Sequence, residues 1–407
     1  MTEFVLGGAG PVKRRRSSAR VSAAELAERT PASRDRYVDF LRAASIVAVV
    51  FGHWFIALIW RQQGYTAVYS AIGVTSGLWV ATWIFQVIPI FFFVGGFSNL
   101  VTYEAVRARG ETTSAFLRSR AVRLLKPTAL FIGAWLVLEV ILHLVDAGGT
   151  GLVRGVRLGN TLPFGPLWFL LVYFVVVMVS PITSALHRRF GALVPGVMVG
   201  GAILVDTLAF GGGVEQVRWL NLGLVWLLAH QLGYFYADGS LPALPRRAHV
   251  AMALSGLAAL GVLTNIGVYP RSMLGTDAAF FHLRAIEKTS NMNPPTLCIV
   301  ALTFWLVGLA MVVRDPLTRW LQRVRPWTAV IVANGVIMTL FLWHMSAYFL
   351  AILLLWPLGL GHELDSTSSW WLQRPAWEIV PAAILLLVVA LVGRFERPAS
   401  RRAARES

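Results

Sequence analysis

Long apolar runs constrain this chain more than any other feature of its sequence. Ten stretches are apolar over enough residues to cross a bilayer as helices, and they lie near 38–60, 79–103, 128–146, 166–186, 191–211, 217–237, 249–268, 295–313, 328–356 and 376–393. A backbone inside a bilayer must satisfy its own hydrogen bonds, which a helix does. The sequence therefore predicts an all-α, polytopic transmembrane bundle of about ten helices. The overlong run at 328–356 is expected to tilt or to begin as a surface helix.

The charge distribution predicts the orientation of this bundle. The chain carries a net charge of +16 and a mean hydropathy of +0.65, with 57% hydrophobic residues. With the N-terminus in the cytosol, 27 of the 36 Lys and Arg residues fall in cytosolic segments and 8 in external ones. This asymmetry follows the positive-inside rule and predicts a multi-pass protein of the cell membrane with both termini cytosolic. Because the positive charges serve as orientation signals between the runs, we do not expect a nucleic acid partner.

Three segments follow from this pattern. Residues 1–33 are polar and rich in arginine, which predicts a disordered basic cytosolic tail without a signal peptide. Residues 34–393 form the membrane domain, and residues 394–407 form a charged cytosolic tail, with no soluble domain expected. The single cysteine, Cys298, excludes an internal disulfide and a thiolate metal cluster, and the histidines show no metal-ligand spacing. We expect no metal site.

The first run carries a histidine, His53, deep among apolar residues. An ionisable side chain at this depth is costly and indicates a functional site. Arg42 precedes it by eleven residues, which places both on one helix face about 16 Å apart at ~1.5 Å per residue. Asp39 lies three residues before Arg42 and can pair with it. A neutral imidazole is suited to act as a general base for a hydroxyl, whereas Arg42 alone could simply snorkel to the surface.

A basic segment and three further polar positions complete the candidates. Arg118, Arg120 and Arg123 precede the third run and offer cations to donor phosphates, although topogenic charge is the simpler explanation for them alone. In the third run, Glu139 shares a face with His143 and Asp146, and this face either orients a substrate or only joins helices. His344 lies deep in a late run, where it lines an acceptor path or packs.

Asp206 lies near the outer end of its run, and we expect its carboxylate to reach water.

Several motifs together resemble the acyltransferase 3 family of membrane proteins. Tyr37-x-Asp39-x-Leu-Arg42 followed by His53 resembles the family's Arg-x10-His motif, and residues 91–97, Phe-Phe-Phe-Val-Gly-Gly-Phe, resemble its second-helix motif. The basic segment at 116–127, the Pro166-Leu-Trp-Phe-Leu170 stretch and the Leu340-Phe-Leu-Trp-His344 stretch are similar to further family motifs. Gly95 stands where the family often has serine, so that serine's role has no counterpart here. The C-terminal esterase-like domain of some members is also missing.

The resemblance implies a ten-helix enzyme that transfers acyl groups, acetyl by default, from cytosolic acyl-CoA. The acceptor would be a hydroxyl of an envelope glycan, a glycolipid or an exported metabolite, and no bound cofactor is expected. The resemblance makes His53 the catalytic histidine, Arg42 a donor-binding residue, and Arg118, Arg120 and Arg123 neighbours of the donor. We add Glu139 to the catalytic group, and we assign Asp39, Trp168 and His344 to substrate binding.

Two other classes of function are compatible with the apolar composition. In a proton-coupled transporter or exporter, His53, Glu139 and His344 would relay protons across the membrane. A flippase or scaffold without catalysis would tolerate the loss of His53.

Overall fold

The computed structural model describes residues 30–31, 34–62, 65–73, 75–145, 162–274, 290–363 and 365–396. Helices dominate this part of the chain and pack around a common apolar core. They are α1 (Arg36–Phe55), α2 (Trp79–Phe85), α3 (Ile88–Ala108), α4 (Thr113–Val145), α5 (Leu167–Phe190), α6 (Leu193–Asp206), α7 (Asn221–Ala237), α8 (Arg246–Leu263), α9 (Leu297–Trp320), α10 (Val324–Gly335), α11 (Ile337–Leu355) and α12 (Ser368–Glu396).

Eight helical stretches in the described part are long and apolar enough to cross a membrane. They comprise α1, α2 with α3, α4, α5, α6 with the turn after it, α9, α11 and α12. The predicted runs at 217–237 and 249–268 also form helices, α7 and α8, which are shorter or less apolar than those eight. The predicted all-α polytopic bundle is confirmed, whereas the cytosolic location of both termini stays a prediction.

The predicted tails lie largely outside the described residues. Of 1–33, residues 30 and 31 are described, and of 394–407, residues 394–396 form the end of α12.

The first run does not remain helical to residue 60. α1 ends at Phe55, and the chain continues into an antiparallel hairpin of β1 (Ala57–Gln62) and β2 (Tyr65–Ser70). A short apolar run fits a buried strand as well as a helix, and here the cross-strand pairing satisfies the backbone. Leu58 in β1 is buried against Trp370 of α12, so the hairpin closes over the C-terminal end of α1.

Two other runs are interrupted. The run at 79–103 is split into α2 and α3, and Pro89 lies in the first turn of α3, where its missing N–H costs nothing. The overlong run at 328–356 is split at Gly335–Val336 into α10 and α11. The shorter α10 packs against α1. The run is therefore two helices rather than one long span, and a location of α10 at the membrane surface stays a prediction.

The helices α3 and α7 approach each other through glycine. A Cβ at Gly96 would collide with the backbone carbonyl of His230, and a Cβ at Gly233 would collide with the backbone of Phe93. Small residues allow this close backbone packing inside a membrane, where helix association depends on van der Waals contact. The Gly-Gly pair of the second-helix motif therefore has a packing role in this fold.

α1 lies at the centre of the arrangement that positions the candidate site. Asp35 caps its N-terminus, because the carboxylate accepts a hydrogen bond of 2.9 Å from the backbone N–H of Val38. Helices α3, α9, α10, α11 and α12 all contact α1. Its side chains therefore face most of the bundle.

Candidate functional site

Arg42 is held by a carboxylate on its own helix. Its Nη1 donates a hydrogen bond of 2.9 Å to Asp39 Oδ1, in the i,i+3 arrangement that the sequence predicts. Arg34 donates to the other oxygen of Asp39 at 2.5 Å. Asp39 is buried, so its carboxylate serves to orient these two arginines.

Two arginines from different helices meet at one residue of α3. Arg42 donates through Nη2 to the hydroxyl of Ser98, and Arg120 of α4 donates to the backbone carbonyl of Ser98 at 2.7 Å. The Nε of Arg120 is buried, and no described residue forms a hydrogen bond with it. This arginine cluster, defined by Arg42, Ser98 and Arg120, brings together two residues that lie 78 positions apart in the chain. Two adjacent guanidinium groups form a site suited to an anion.

The other arginines of the basic segment take different places. Arg123 is exposed and interacts electrostatically with both Arg42 and Arg120. Arg118 is exposed on the outside of α4. All three residues of the segment lie on α4 itself, which is continuous from Thr113 to Val145, rather than on a loop leading into the helix. The structure thus brings Arg120 into the arginine cluster and leaves Arg118 at the surface.

The ring of His53 is oriented by the backbone of its own helix. Nδ1 lies 2.6 Å from the carbonyl oxygen of Val49, one turn earlier. A carbonyl oxygen can only accept, so in the neutral ring Nδ1 carries the proton and donates it to Val49. The lone pair is therefore on Nε2, the nitrogen directed away from the helix backbone. This tautomer presents a base or a nucleophile to whatever faces the ring.

His53 lies on a different face of α1 from the exposed apolar side chains of that helix. The exposed apolar residues of α1 are Val47, Phe51 and Phe55, which form one stripe at a four-residue spacing. At ~100° per residue, His53 lies about 160° from Phe51 and Phe55 and about 120° from Val47, away from this stripe. His53 is itself exposed, and its ring lies beside the fully buried ring of His344. The contact with His344 places His53 on the face of α1 that is turned toward α11.

His344 of α11 is the side chain that meets His53. The two ring centroids are 5.2 Å apart, with the planes inclined at 62°. His344 Nδ1 lies 2.6 Å from the carbonyl oxygen of Phe341, so in the neutral ring Nε2 carries the lone pair. Among the described residues, this buried Nε2 has no hydrogen-bond partner. Trp54 donates through Nε1 to the backbone carbonyl of His344 at 3.1 Å, which fixes α1 against α11 at this level.

Glu139 and Trp168 lie on the neighbouring helices α4 and α5. Glu139 is half-buried one turn beyond Trp135, whose indole donates to Ser346 of α11 at 3.0 Å. Trp168 is half-buried in the first turn of α5, and its ring packs edge-on against Phe169. Asp146 and the side chain of His143 lie outside the described residues. The catalytic role predicted for Glu139 and the substrate-binding role predicted for Trp168 stay predictions.

The prediction that the Asp206 carboxylate reaches water is wrong. Asp206 is buried between α6, α7 and α9. Its carboxylate accepts hydrogen bonds of 2.8 Å from Asn221, from the Tyr269 hydroxyl and from the backbone N–H of Leu297. Burial and the neighbouring Asp206 carboxylate raise the pKa of Tyr269 above its ordinary value, so its hydroxyl remains a donor. Asp206 therefore caps α9 and joins three helices, a structural role.

Arg374 of α12 lies near His53, although the sequence does not mark it as a candidate site residue. It is one of the eight Lys and Arg residues predicted to be external, yet its side chain is buried and lies at the end of α1. A topogenic arginine and a buried arginine have the same sequence signature, so composition gives no signal for it. Its separation of four residues from Glu378 along the helix is the available hint.

Comparison with known protein families identifies the family of this chain. The acyltransferase 3 family model, described as an acyltransferase domain, matches residues 35–394. The chain belongs to the acyltransferase 3 family. No curated protein and no solved structure matches the chain. The resemblance inferred from the motifs is confirmed over nearly the whole sequence.

Membership in the acyltransferase 3 family, with the eight candidate spans, makes the protein a multi-pass membrane acyltransferase. The matched range includes α1 with both Arg42 and His53, the arginine cluster, and the late helices with His344 and Arg374. Chemistry proposed for these residues therefore concerns the part of the chain that defines the family.

Proposed function

We propose that this acyltransferase moves an acyl group, acetyl by default, from cytosolic acyl-CoA to a hydroxyl of an envelope glycan, a glycolipid or an exported metabolite in the cell membrane. One observation carries the proposal. The ring of His53 is held through Nδ1 by the Val49 carbonyl and lies against His344 of α11, and Arg42 of the arginine cluster lies on the same face of α1. The two groups are eleven residues apart, or about 16 Å along the axis.

The arginine cluster is suited to the phosphates of acyl-CoA. Arg42 and Arg120 are already aligned by Ser98, and Arg123 adds a further positive charge nearby. Hydrogen bonds between guanidinium and phosphate are charge-assisted and are therefore stronger than neutral ones. Arg118, which is exposed, would contribute to attracting the donor rather than to binding it in the cluster.

From this cluster, the pantetheine arm would extend along α1 until the thioester lies beside His53. In a direct transfer, His53 Nε2 takes the proton of the acceptor hydroxyl. The hydroxyl oxygen forms a bond to the acyl carbon, the carbon–sulfur bond breaks, and the CoA thiolate receives the proton. In a two-step transfer, Nε2 attacks the acyl carbon, the carbon–sulfur bond breaks and the CoA thiolate leaves. The acceptor oxygen then bonds to the acyl carbon, the bond from this carbon to Nε2 breaks, and the hydroxyl proton passes to the CoA thiolate. Both routes use the same nitrogen.

The roles proposed for the remaining candidate residues follow from their positions in the fold. His344 would contact the acceptor beside His53, because its own Nε2 is free and the two rings touch. Asp39 would act through Arg42, to which it is paired. Glu139 and Trp168 would line the path on α4 and α5.

The test measures CoA thiol release from acetyl-CoA in membranes that contain the full chain and native envelope material. We expect His53→Ala to abolish release above background, because the variant lacks the only proposed base and nucleophile. His362→Ala is the matched control, since His362 is an exposed histidine in the segment after α11, and it should retain the wild-type rate.

Equal release by wild-type and His53→Ala membranes, with comparable amounts of protein, would contradict the proposal. Transport of a solute without acetyl-CoA would then favour the proton-coupled transporter.

A further inference from the structure

Arg374 is a buried cation at the end of the helix that carries His53. The side chain is 4% exposed, and its guanidinium lies 4.0 Å above the ring of Trp370. Its Nη1 lies 3.5 Å from the carbonyl oxygens of Trp54 and Phe55 and 3.2 Å from that of Ala57. One guanidinium nitrogen from α12 thus faces three carbonyls where α1 ends and β1 begins.

Two of these carbonyls, those of Trp54 and Phe55, belong to the last turn of α1, and the third, that of Ala57, begins β1. The last turn of an α-helix has unsatisfied C=O groups and a partial negative charge, and a cation there stabilises the turn. His53 belongs to that last turn, next to Trp54. Trp54 is itself bonded to the His344 carbonyl, so the position of this turn decides how the two histidine rings meet.

The surroundings of Arg374 indicate that a contribution to folding stability alone does not explain why an arginine is buried at this position. Within the described part of the chain, its Nη2 has no hydrogen-bond partner, and neither do the two buried oxygens of Glu378, four residues later on α12. Tyr348 of α11, one turn beyond His344, interacts electrostatically with both Arg374 and Glu378. Burying charges with incomplete hydrogen bonding is poorly stabilising, and apolar side chains would fill such a place better.

We propose that Arg374 is a positioning residue for the transfer reaction. It holds the last turn of α1, and with it the His53 ring, in register with His344. This inference rests on the proposed function of His53. Arg374 itself touches backbone carbonyls rather than the reacting atoms.

The kinetic test compares Arg374→Gln and Arg374→Lys in membranes, with thiol release measured against acetyl-CoA concentration. We expect Arg374→Gln to lower kcat at least tenfold and to leave the KM for acetyl-CoA within twofold, because the arginine cluster lies at the other end of α1. Arg374→Lys keeps the charge and should recover part of the loss. Arg218→Gln is the matched control, since Arg218 also packs over an aromatic ring, Phe210, but lies beside Asp206.

A second readout does not depend on activity. Diethyl pyrocarbonate modifies accessible imidazole nitrogens, and mass spectrometry reports the rate at His53, with the exposed His362 as an internal reference. We expect Arg374→Gln to accelerate modification of His53 at least threefold, because the last turn of α1 loosens, and Arg218→Gln to leave it unchanged.

Unchanged kcat or unchanged modification of His53 in Arg374→Gln would overturn this inference. A rise in KM together with the fall in kcat, shared by Arg218→Gln, would also overturn it, because it would indicate general destabilisation. Failure of the proposed function is distinguished by a different variant. If His53→Ala retains activity, the proposed function of His53 is wrong, whatever the result for Arg374→Gln.

Discussion

At the scale of single residues, the arginine cluster depends on one small side chain. Ser98 accepts from Arg42 through its hydroxyl and from Arg120 through its carbonyl, so one residue aligns cations from α1 and α4. Two guanidinium groups repel each other, and a fixed acceptor between them reduces the cost of holding them together before an anion arrives. Preorganisation of this kind contributes to affinity because less order remains to be created on binding.

Ser98→Ala should therefore weaken donor binding. It removes the acceptor for Arg42 and leaves the backbone acceptor for Arg120, and the loss of one such bond corresponds to about 1 kcal/mol. We expect the KM for acetyl-CoA to rise about three- to tenfold, with kcat within twofold. Ser119→Ala is the control, because the Ser119 hydroxyl bonds only within α4, to the carbonyl of Phe116. An unchanged KM in Ser98→Ala would show that Ser98 does not organise the donor site.

The sequence predicted candidate site residues where a polar or ionisable side chain occurs within an apolar run. His53 stands out because an imidazole is rare in an apolar run, and Arg42 follows from helical spacing. The convergence of Arg42 and Arg120 on Ser98 could not be predicted, since it depends on how α1, α3 and α4 pack. Arg374 was missed for the same reason.

At the scale of elements, the close crossing of α3 and α7 determines where Ser98 lies. Gly96 is two residues before Ser98 and packs directly against the α7 backbone. A shift of α3 away from α7 would move Ser98 relative to Arg42. The Gly-Gly motif therefore links helix packing to the geometry of the arginine cluster.

Gly96→Ala tests this link through stability. The added Cβ collides with the carbonyl of His230, and overpacking of this kind costs about 1–3 kcal/mol. We expect a lower apparent Tm of the purified protein in detergent. Gly200→Ala is the control, because Gly200 of α6 has open space around it and alanine is the better helix former. A Tm for Gly96→Ala equal to that of the wild type would contradict the close-packing argument.

The sequence predicted the positions of the helices along the chain, but it did not always predict the residues at which they begin and end. Apolar runs predict where helices form, and all ten runs contain helix in the described structure. The hairpin at residues 57–70 was not predicted, because strands and helices of this length share an apolar composition. The breaks near residues 86 and 336 depend on tertiary packing.

At the scale of the whole molecule, α1 connects two chemically different places. The arginine cluster lies near its N-terminal half, and the His53–His344 contact lies in its last turn. The hairpin and Arg374 close over the end of α1 beyond the histidines. The arrangement is suited to a long donor that is anionic at one end and reactive at the other.

The measurement that tests this account most directly compares acetyl-CoA with S-acetylpantetheine, which carries the same thioester without the nucleotide and its phosphates. Thiol release is measured with both donors in wild-type, Arg120→Ala and His53→Ala membranes.

If the arginine cluster binds the donor phosphates, Arg120→Ala should lower kcat/KM for acetyl-CoA about ten- to a hundredfold and leave that for S-acetylpantetheine within twofold. His53→Ala should abolish release from both donors. An equal loss with both donors in Arg120→Ala would contradict the account, because Arg120 would then act on something other than the phosphates.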